Sequence, residues 1–201
     1  LKELLVAYYY QNWIAGATVA RIKQTSYNIL KAVKSQKSIY DIKSEMKSNL
    51  DKYDTTKRFD EEIDGNFVYG RKWDKAVLLL IEYFSNDSEN PTYQPVSNKL
   101  HLEHILPQTP TTYWKDKINE EDRELWTNSL ANLTLLSMRK NIQAKNYDFD
   151  KKKEAYQNKD NVVSSFKITQ DILIYENWTI KELEDRKIKL IEKIKEKIDL
   201  F

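Results

Sequence analysis

Apolar residues recur every three or four positions along most of the chain, the spacing that places them on one face of an α-helix. Near the C-terminus, Thr179 is followed three residues later by Glu182, a capping-box pattern that predicts the start of a long amphipathic helix. The pattern therefore predicts a mainly helical protein. Helices are predicted over residues 4–16, 18–34, 38–50, 73–84, 166–175 and 179–201.

Two segments of the chain depart from this helical pattern. Residues 85–98 are rich in turn formers, including Pro91 and Pro95, and they predict an internal boundary. Beyond it, residues 102–107 and 132–136 are short apolar segments with the character of strands. We expect a mainly α domain with a small embedded ββα element. Its expected divisions are an N-terminal helical region over residues 1–85, a linker loop over 86–98, the ββα element over 99–160, and C-terminal helices over 161–201 that pack on the same domain.

The composition limits the class of protein. The chain has 201 residues, 40% hydrophobic and 32% charged with three glycines, which favours a solvated helical domain with one sizeable core. It has no cysteine, which excludes disulfides and cysteine-ligated zinc. No apolar run has the length of a membrane span and no signal peptide opens the chain, so we expect a cytoplasmic location and no membrane partner.

The net charge of +2 does not by itself indicate a partner, but its distribution is uneven. Residues 139–159 carry a local basic excess, in which a phosphate backbone could bind. For the run Lys151-Lys152-Lys153, a solvated helix face is the slightly preferred alternative to direct DNA contact.

Candidate chemistry is concentrated around an acid-histidine pair. Glu103 offers a carboxylate and Asn141 an amide oxygen, both suited to Mg²⁺ or Mn²⁺. His104 can act as a general base, because an imidazole titrates close to neutral pH. Neighbouring strand residues point to opposite faces, so Glu103 and His104 can share one metal site only if the strand ends or bends there, which Pro107 would allow.

These residues resemble the motifs of the HNH, or His-Me finger, nucleases, whose core is a β-hairpin and a helix around one metal. A closer resemblance is to the C-terminal domain of the GmrSD-type modification-dependent restriction endonucleases, over residues 99–190. The matching segments are Glu103-His104-Ile105-Leu106-Pro107-Gln108, Trp114, Trp126, Asn132-Leu133-Thr134-Leu135-Leu136, Asn141, Asn146, the Phe-x-x-Lys-x-x-x-Tyr pattern within residues 149–156, and Trp178 through Arg186.

The resemblance implies a role for each matching residue. His104 would be the general base, Glu103 and Asn141 the ligands of a single Mg²⁺ or Mn²⁺ ion, and Asn132 the group that orients His104 or the loop that holds it. Asn132 is also suited to opening a strand as a turn residue, and both interpretations can hold. His101 is either a second group near the metal or a plain edge-strand histidine. The expected phosphate or DNA contacts are Arg139, Lys140, Lys145 and Asn146.

The resemblance also implies a function. We expect a metal-dependent DNA endonuclease of prokaryotic antiviral defence, with modified phage DNA as one candidate target. A nucleotide-hydrolysing or sensing domain would precede Leu1. The alternatives are a catalytically inactive helical module that docks DNA or another protein, and a nuclease that acts on RNA. The sequence leaves open the modification recognised, nicking versus double-strand cleavage, and the oligomeric state.

Overall fold

A computed structural model describes residues 1–85, 95–97, 99–137, 144–157 and 166–201. The expected site residues Arg139, Lys140 and Asn141 lie outside these ranges. Within them the chain is mainly helical with one small sheet, which confirms the predicted mainly α class. The chain divides into two compact units, residues 1–64 with 195–201, and residues 65–194. No helix in the described segments of the chain is long and apolar enough to cross a membrane.

The first unit contains four helices within residues 1–64, and local signals fix their ends. Gly16 follows the first helix with a φ of +72°, a left-handed conformation that glycine adopts without strain. The Thr18 and Ser38 hydroxyls accept hydrogen bonds from the backbone N–H groups of Arg21 and Asp41, which caps the next two helices. The helices are α1 (Lys2–Ile14), α2 (Val19–Lys34), α3 (Ile39–Lys52) and α4 (Thr55–Asp64).

The second unit combines helices with the two strands. The capping box predicted at the last helix is present, since the Thr179 N–H donates to Glu182 Oε2 at 2.8 Å. Short 3₁₀ turns cover Leu130–Asn132 and Asp171–Ile174. The elements are α5 (Asp74–Ser85), β1 (Leu100–His104), α6 (Thr112–Lys117), α7 (Glu120–Trp126), β2 (Leu133–Ser137), α8 (Phe149–Gln157), α9 (Lys167–Gln170) and α10 (Ile180–Ile198), whose residues from 195 onward belong to the first unit.

The strands β1 and β2 pair antiparallel, with His104 opposite Leu133 and Glu103 opposite Thr134. The Ile105 N–H donates to the Asn132 carbonyl at 3.0 Å just beyond the last pair. The chain between the strands contains α6 and α7, so the two strands pair without a tight turn between them. The expected helix of the ββα element, which would carry Asn141, lies outside the described residues.

The sheet lies against a core of large aromatic side chains. Trp114, Phe149 and Trp178 are fully buried, and the rings of Phe149 and Trp178 stack with centroids 5.5 Å apart. Such rings contribute most of the apolar area that stabilises a core of this size. The buried Arg186 of α10 donates to the carbonyls of Ala131 and Leu133, which fixes the start of β2.

Candidate active site

His104 ends β1 and is almost entirely buried. Its Nε2 lies 3.2 Å from Asn128 Oδ1, and its ring makes an edge contact with Tyr69 at a centroid distance of 4.4 Å. The Gln108 side chain donates to the same Asn128 oxygen at 3.3 Å. The imidazole is therefore held in one orientation by an amide and an aromatic ring.

The environment of His104 favours its neutral form. The pKa of His104 is lowered to about 4: burial is the main cause, the nearby Lys152 charge also lowers it, and the Asn128 hydrogen bond partly offsets both. Because an amide oxygen only accepts hydrogen bonds, Nε2 carries the proton and Nδ1 has a free lone pair. At neutral pH the ring can therefore accept a proton, as a general base must.

Glu103 lies in a buried polar cluster with two residues of α8. Lys152 Nζ is 2.6 Å from Glu103 Oε1 and 2.6 Å from the His104 carbonyl oxygen, and the Tyr156 hydroxyl donates to Glu103 Oε1 at 3.2 Å. Burial raises the pKa of the Glu103 carboxyl and lowers that of the Lys152 ammonium, and each charge partly offsets the shift of the other. The cluster joins the end of β1 to α8.

This arrangement does not fit Glu103 as a metal ligand. Its Oε1 already accepts from a buried ammonium, and a divalent cation on the same carboxylate would be repelled by that charge. Glu103 and His104 contact different neighbours, as the alternation of strand side chains requires, and the strand does not turn both toward one ion. The described residues contain no group of three or more His, Cys, Asp or Glu side chains that could hold a metal.

Asn132 positions the loop that follows His104. Its Oδ1 accepts from the Leu106 N–H at 2.7 Å and from Trp178 Nε1 at 3.2 Å. Its Nδ2 donates to the carbonyls of Leu106 and Thr127, both at 2.8 Å. The side chain is fully buried and contacts protein groups with both ends, so it acts on His104 through the backbone of the loop.

The remaining expected residues lie in varied positions. Lys145 and Asn146 are exposed just before α8, and Lys145 has a φ of +41°. His101 pairs across the sheet with Leu136, and its Nε2 is buried without a hydrogen-bond partner among the described residues. The expectation of a solvated face for the whole lysine run was wrong, because Lys152 is fully buried on Glu103.

Sequence reasoning missed several residues around His104 and Glu103. Tyr69 and Asn128 belong to no pattern that the sequence presents. Lys152 and Tyr156 had a readable signal, since the Phe-x-x-Lys-x-x-x-Tyr spacing places all three residues on one face of α8. A lysine on the apolar face of a helix requires a buried anionic partner, and Glu103 supplies it.

The family comparison covers all of these residues. The model of the GmrSD restriction endonucleases, C-terminal domain, matches residues 51–193, more than two thirds of the chain. The chain belongs to this family. The match confirms the resemblance inferred from the sequence motifs. No curated protein matches the chain. Within the GmrSD C-terminal domain, His104, Asn128 and Asn132 thus form the candidate active site.

Proposed function

We propose that this GmrSD C-terminal domain is a DNA endonuclease in which His104 is the general base. The supporting observation is the neutral, oriented imidazole at the end of β1, held by Asn128 and Tyr69. Membership of a family of restriction endonuclease domains indicates DNA as the substrate. The antiparallel pair β1 and β2, with His104 ending one strand and Asn132 preceding the other, supports a finger of the HNH type.

The proposed reaction is hydrolysis of a phosphodiester. His104 Nδ1 takes a proton from a water molecule, and the water oxygen attacks phosphorus in line. The bond from phosphorus to the leaving oxygen then breaks, and that oxygen takes up a proton from solvent. Asn128 stabilises the imidazolium that forms, because its Oδ1 accepts from Nε2. Asn132 keeps the loop after His104 in place.

We propose a single Mg²⁺ or Mn²⁺ ion on the basis of the family resemblance alone. Such an ion would neutralise charge on the phosphate. Because Glu103 is bound to Lys152, Asn141 is the remaining candidate ligand. Arg139, Lys140, Lys145 and Asn146 remain candidate phosphate contacts. On the same ground we propose modified phage DNA as the target and a role in prokaryotic antiviral defence in the cytoplasm. We also propose an N-terminal nucleotide-hydrolysing domain.

Nicking of supercoiled plasmid tests the proposal. We expect the protein to relax plasmid in Mn²⁺, and His104→Ala to abolish relaxation while the circular dichroism spectrum stays unchanged. Ile174→Ala is the matched control, since this side chain is 72% exposed in the same unit. Equal activity of the His104→Ala and wild-type proteins would overturn the proposal.

The rival functions give different results in the same assay. A catalytically inactive docking module would bind plasmid or a partner protein without relaxing the plasmid at any metal concentration. If the isolated chain is inactive, the longer protein with its N-terminal region is assayed in parallel. Cleavage of RNA with plasmid left intact would assign the site to RNA.

A further inference from the structure

A groove of about 650 Å³ opens beside the candidate active site. Its lining includes Phe67, from the segment that precedes α5, together with Gln108 and Asn128. Asn128 accepts hydrogen bonds from the His104 ring and from Gln108. A single side chain, that of Asn128, therefore connects the groove to the candidate general base. A molecule in this groove would lie next to the reacting phosphate of the proposed function.

The aromatic side chains beside the groove are held on a fixed backbone. The N–H groups of Val68 and Tyr69 donate to the Asn128 carbonyl at 2.9 and 3.0 Å, and Val68 is fully buried. The flanking rings are nevertheless open to solvent, with Phe67 64% and Tyr69 43% exposed. An exposed Phe ring on an anchored backbone offers apolar surface to a ligand without a loss of backbone freedom on binding.

The charges and polar groups of the groove fit a nucleobase better than a phosphate. Lys115 and Arg123 are balanced by Glu120 and Glu124, so the groove lacks the excess positive charge that a phosphate site needs. Amides and carboxylates, by contrast, match the donor and acceptor groups on the edge of a base. An aromatic ring can stack on the flat face of any base.

We propose that Phe67 stacks on an unpaired nucleobase of the DNA substrate and that the groove holds its edge. The proposal rests on the proposed endonuclease function for the identity of the substrate. A base inside a duplex is stacked on both sides, so the nucleotide that enters must be single-stranded or flipped out. The Gln108 amide, at the junction of groove and active site, is placed to bond the base edge.

Binding of oligonucleotides that carry 2-aminopurine tests the proposal without cleavage. The probe is a fluorescent single-stranded DNA with one 2-aminopurine, added to protein in EDTA. We expect Phe67→Ala to weaken binding about tenfold and to reduce the quenching of 2-aminopurine on binding, because one base-ring stack is lost. Phe67→Trp should retain both. The control Ile174→Ala removes an apolar side chain that is 72% exposed and should bind as the wild type does.

An abasic nucleotide in place of 2-aminopurine supplies the second half of the test. The abasic strand should bind the wild type more weakly than the 2-aminopurine strand does. It should bind Phe67→Ala with nearly the same affinity as the 2-aminopurine strand, because the ring and the base contribute to the same contact. Equal affinities of the wild type and Phe67→Ala for the 2-aminopurine strand would overturn the proposal. If His104→Ala abolishes nicking in that case, the endonuclease function stands without the stacking contact. Phe67-dependent binding without nicking, both in this chain and in the protein joined to its proposed N-terminal domain, would instead support the groove and refute the endonuclease.

Discussion

The Lys152 ammonium lies 2.6 Å from the Glu103 carboxylate, in a place where both side chains are almost completely shielded from water. The same ammonium bonds the carbonyl oxygen of His104. One lysine of α8 thus fixes both the side chain and the backbone at the end of β1. The lysine acts on the candidate general base through the strand, not through contact with substrate.

Breaking this ion pair should destabilise the fold more than removing both partners. Lys152→Met and Glu103→Gln should each lower the free energy of unfolding by about 3–5 kcal/mol, because each leaves one charge buried and unpaired. The double variant should lose less than either single variant, because it leaves no charge buried and unpaired. Urea denaturation of the four proteins measures this, and strictly additive losses would mean that the two groups do not interact.

Glu103→Gln should also leave the metal dependence of the proposed nicking activity unchanged. The Mn²⁺ concentration that gives half-maximal nicking should stay within about twofold of the wild type, whereas loss of a true ligand raises it at least about tenfold. Tyr156→Phe is the matched control, since it removes a hydrogen bond to the same carboxylate and keeps the charge. A large shift confined to Glu103→Gln would restore Glu103 as a ligand.

Asn132→Ala should cost about 2–4 kcal/mol in the free energy of unfolding, since it leaves the Leu106 N–H, the Leu106 and Thr127 carbonyls and the Trp178 indole without their partner. Thermal or urea unfolding measures the loss. Asn177→Ala is the control, because this side chain makes an exposed bond to Lys117 and its loss should cost less than about 0.5 kcal/mol. Similar losses in the two variants would show that Asn132 does not hold the loop.

His104 should make the fold sensitive to acid. Its folded pKa of about 4 lies below the ordinary value of 6.5, so the unfolded chain takes up the proton first as the pH falls. The neutral ring therefore makes its full contribution to the free energy of unfolding above pH 6.5. This contribution of about 3 kcal/mol is lost as the pH falls toward 4. Urea unfolding at pH 7 and pH 4.5 should therefore show a smaller acid loss in His104→Gln than in the wild type. An equal loss in both proteins would contradict this.

Asn128→Asp should shift the pH dependence of nicking toward higher pH. A carboxylate at this position favours the protonated imidazole, so the pKa of His104 rises and the general base becomes protonated at a higher pH. Asn128→Ala should instead lower kcat with little change in KM, since the orientation of the ring and the hydrogen bond that stabilises its protonated form are both lost. Rates measured from pH 4 to pH 9 separate the two, and identical acid limbs in the wild type and Asn128→Asp would exclude Asn128 as the partner of His104.

Local signals account for what the sequence predicted correctly. The helices α2, α3, α5 and α10 follow from apolar periodicity and capping residues, which act over a few positions. The helices α4, α6 and α7 were missed, because they are short and place few apolar residues on the face that packs.

The site required information that local patterns do not contain. His104 and Asn132 were identified from their motifs, but the partner of Glu103 lies 49 positions away and that of His104 lies 24 positions away. The alternation of strand side chains predicted that the Glu103 and His104 side chains would point to opposite faces unless the strand bends, and in the structure they contact different neighbours. The identity of the long-range partners depends on how α8 and the chain after α7 pack against β1.

The hydrogen bonds between α10 and the start of β2 set a lower limit on the length of chain that can form this domain. Arg186 bonds the backbone on both sides of Asn132, and Trp178 bonds its side chain, so residues far beyond β2 hold the strand that faces His104. A peptide cut to residues 99–160 would leave these backbone carbonyls unpaired. The two strands cannot be moved to another scaffold by themselves, and a protein engineer who grafts them would need to include the last helix.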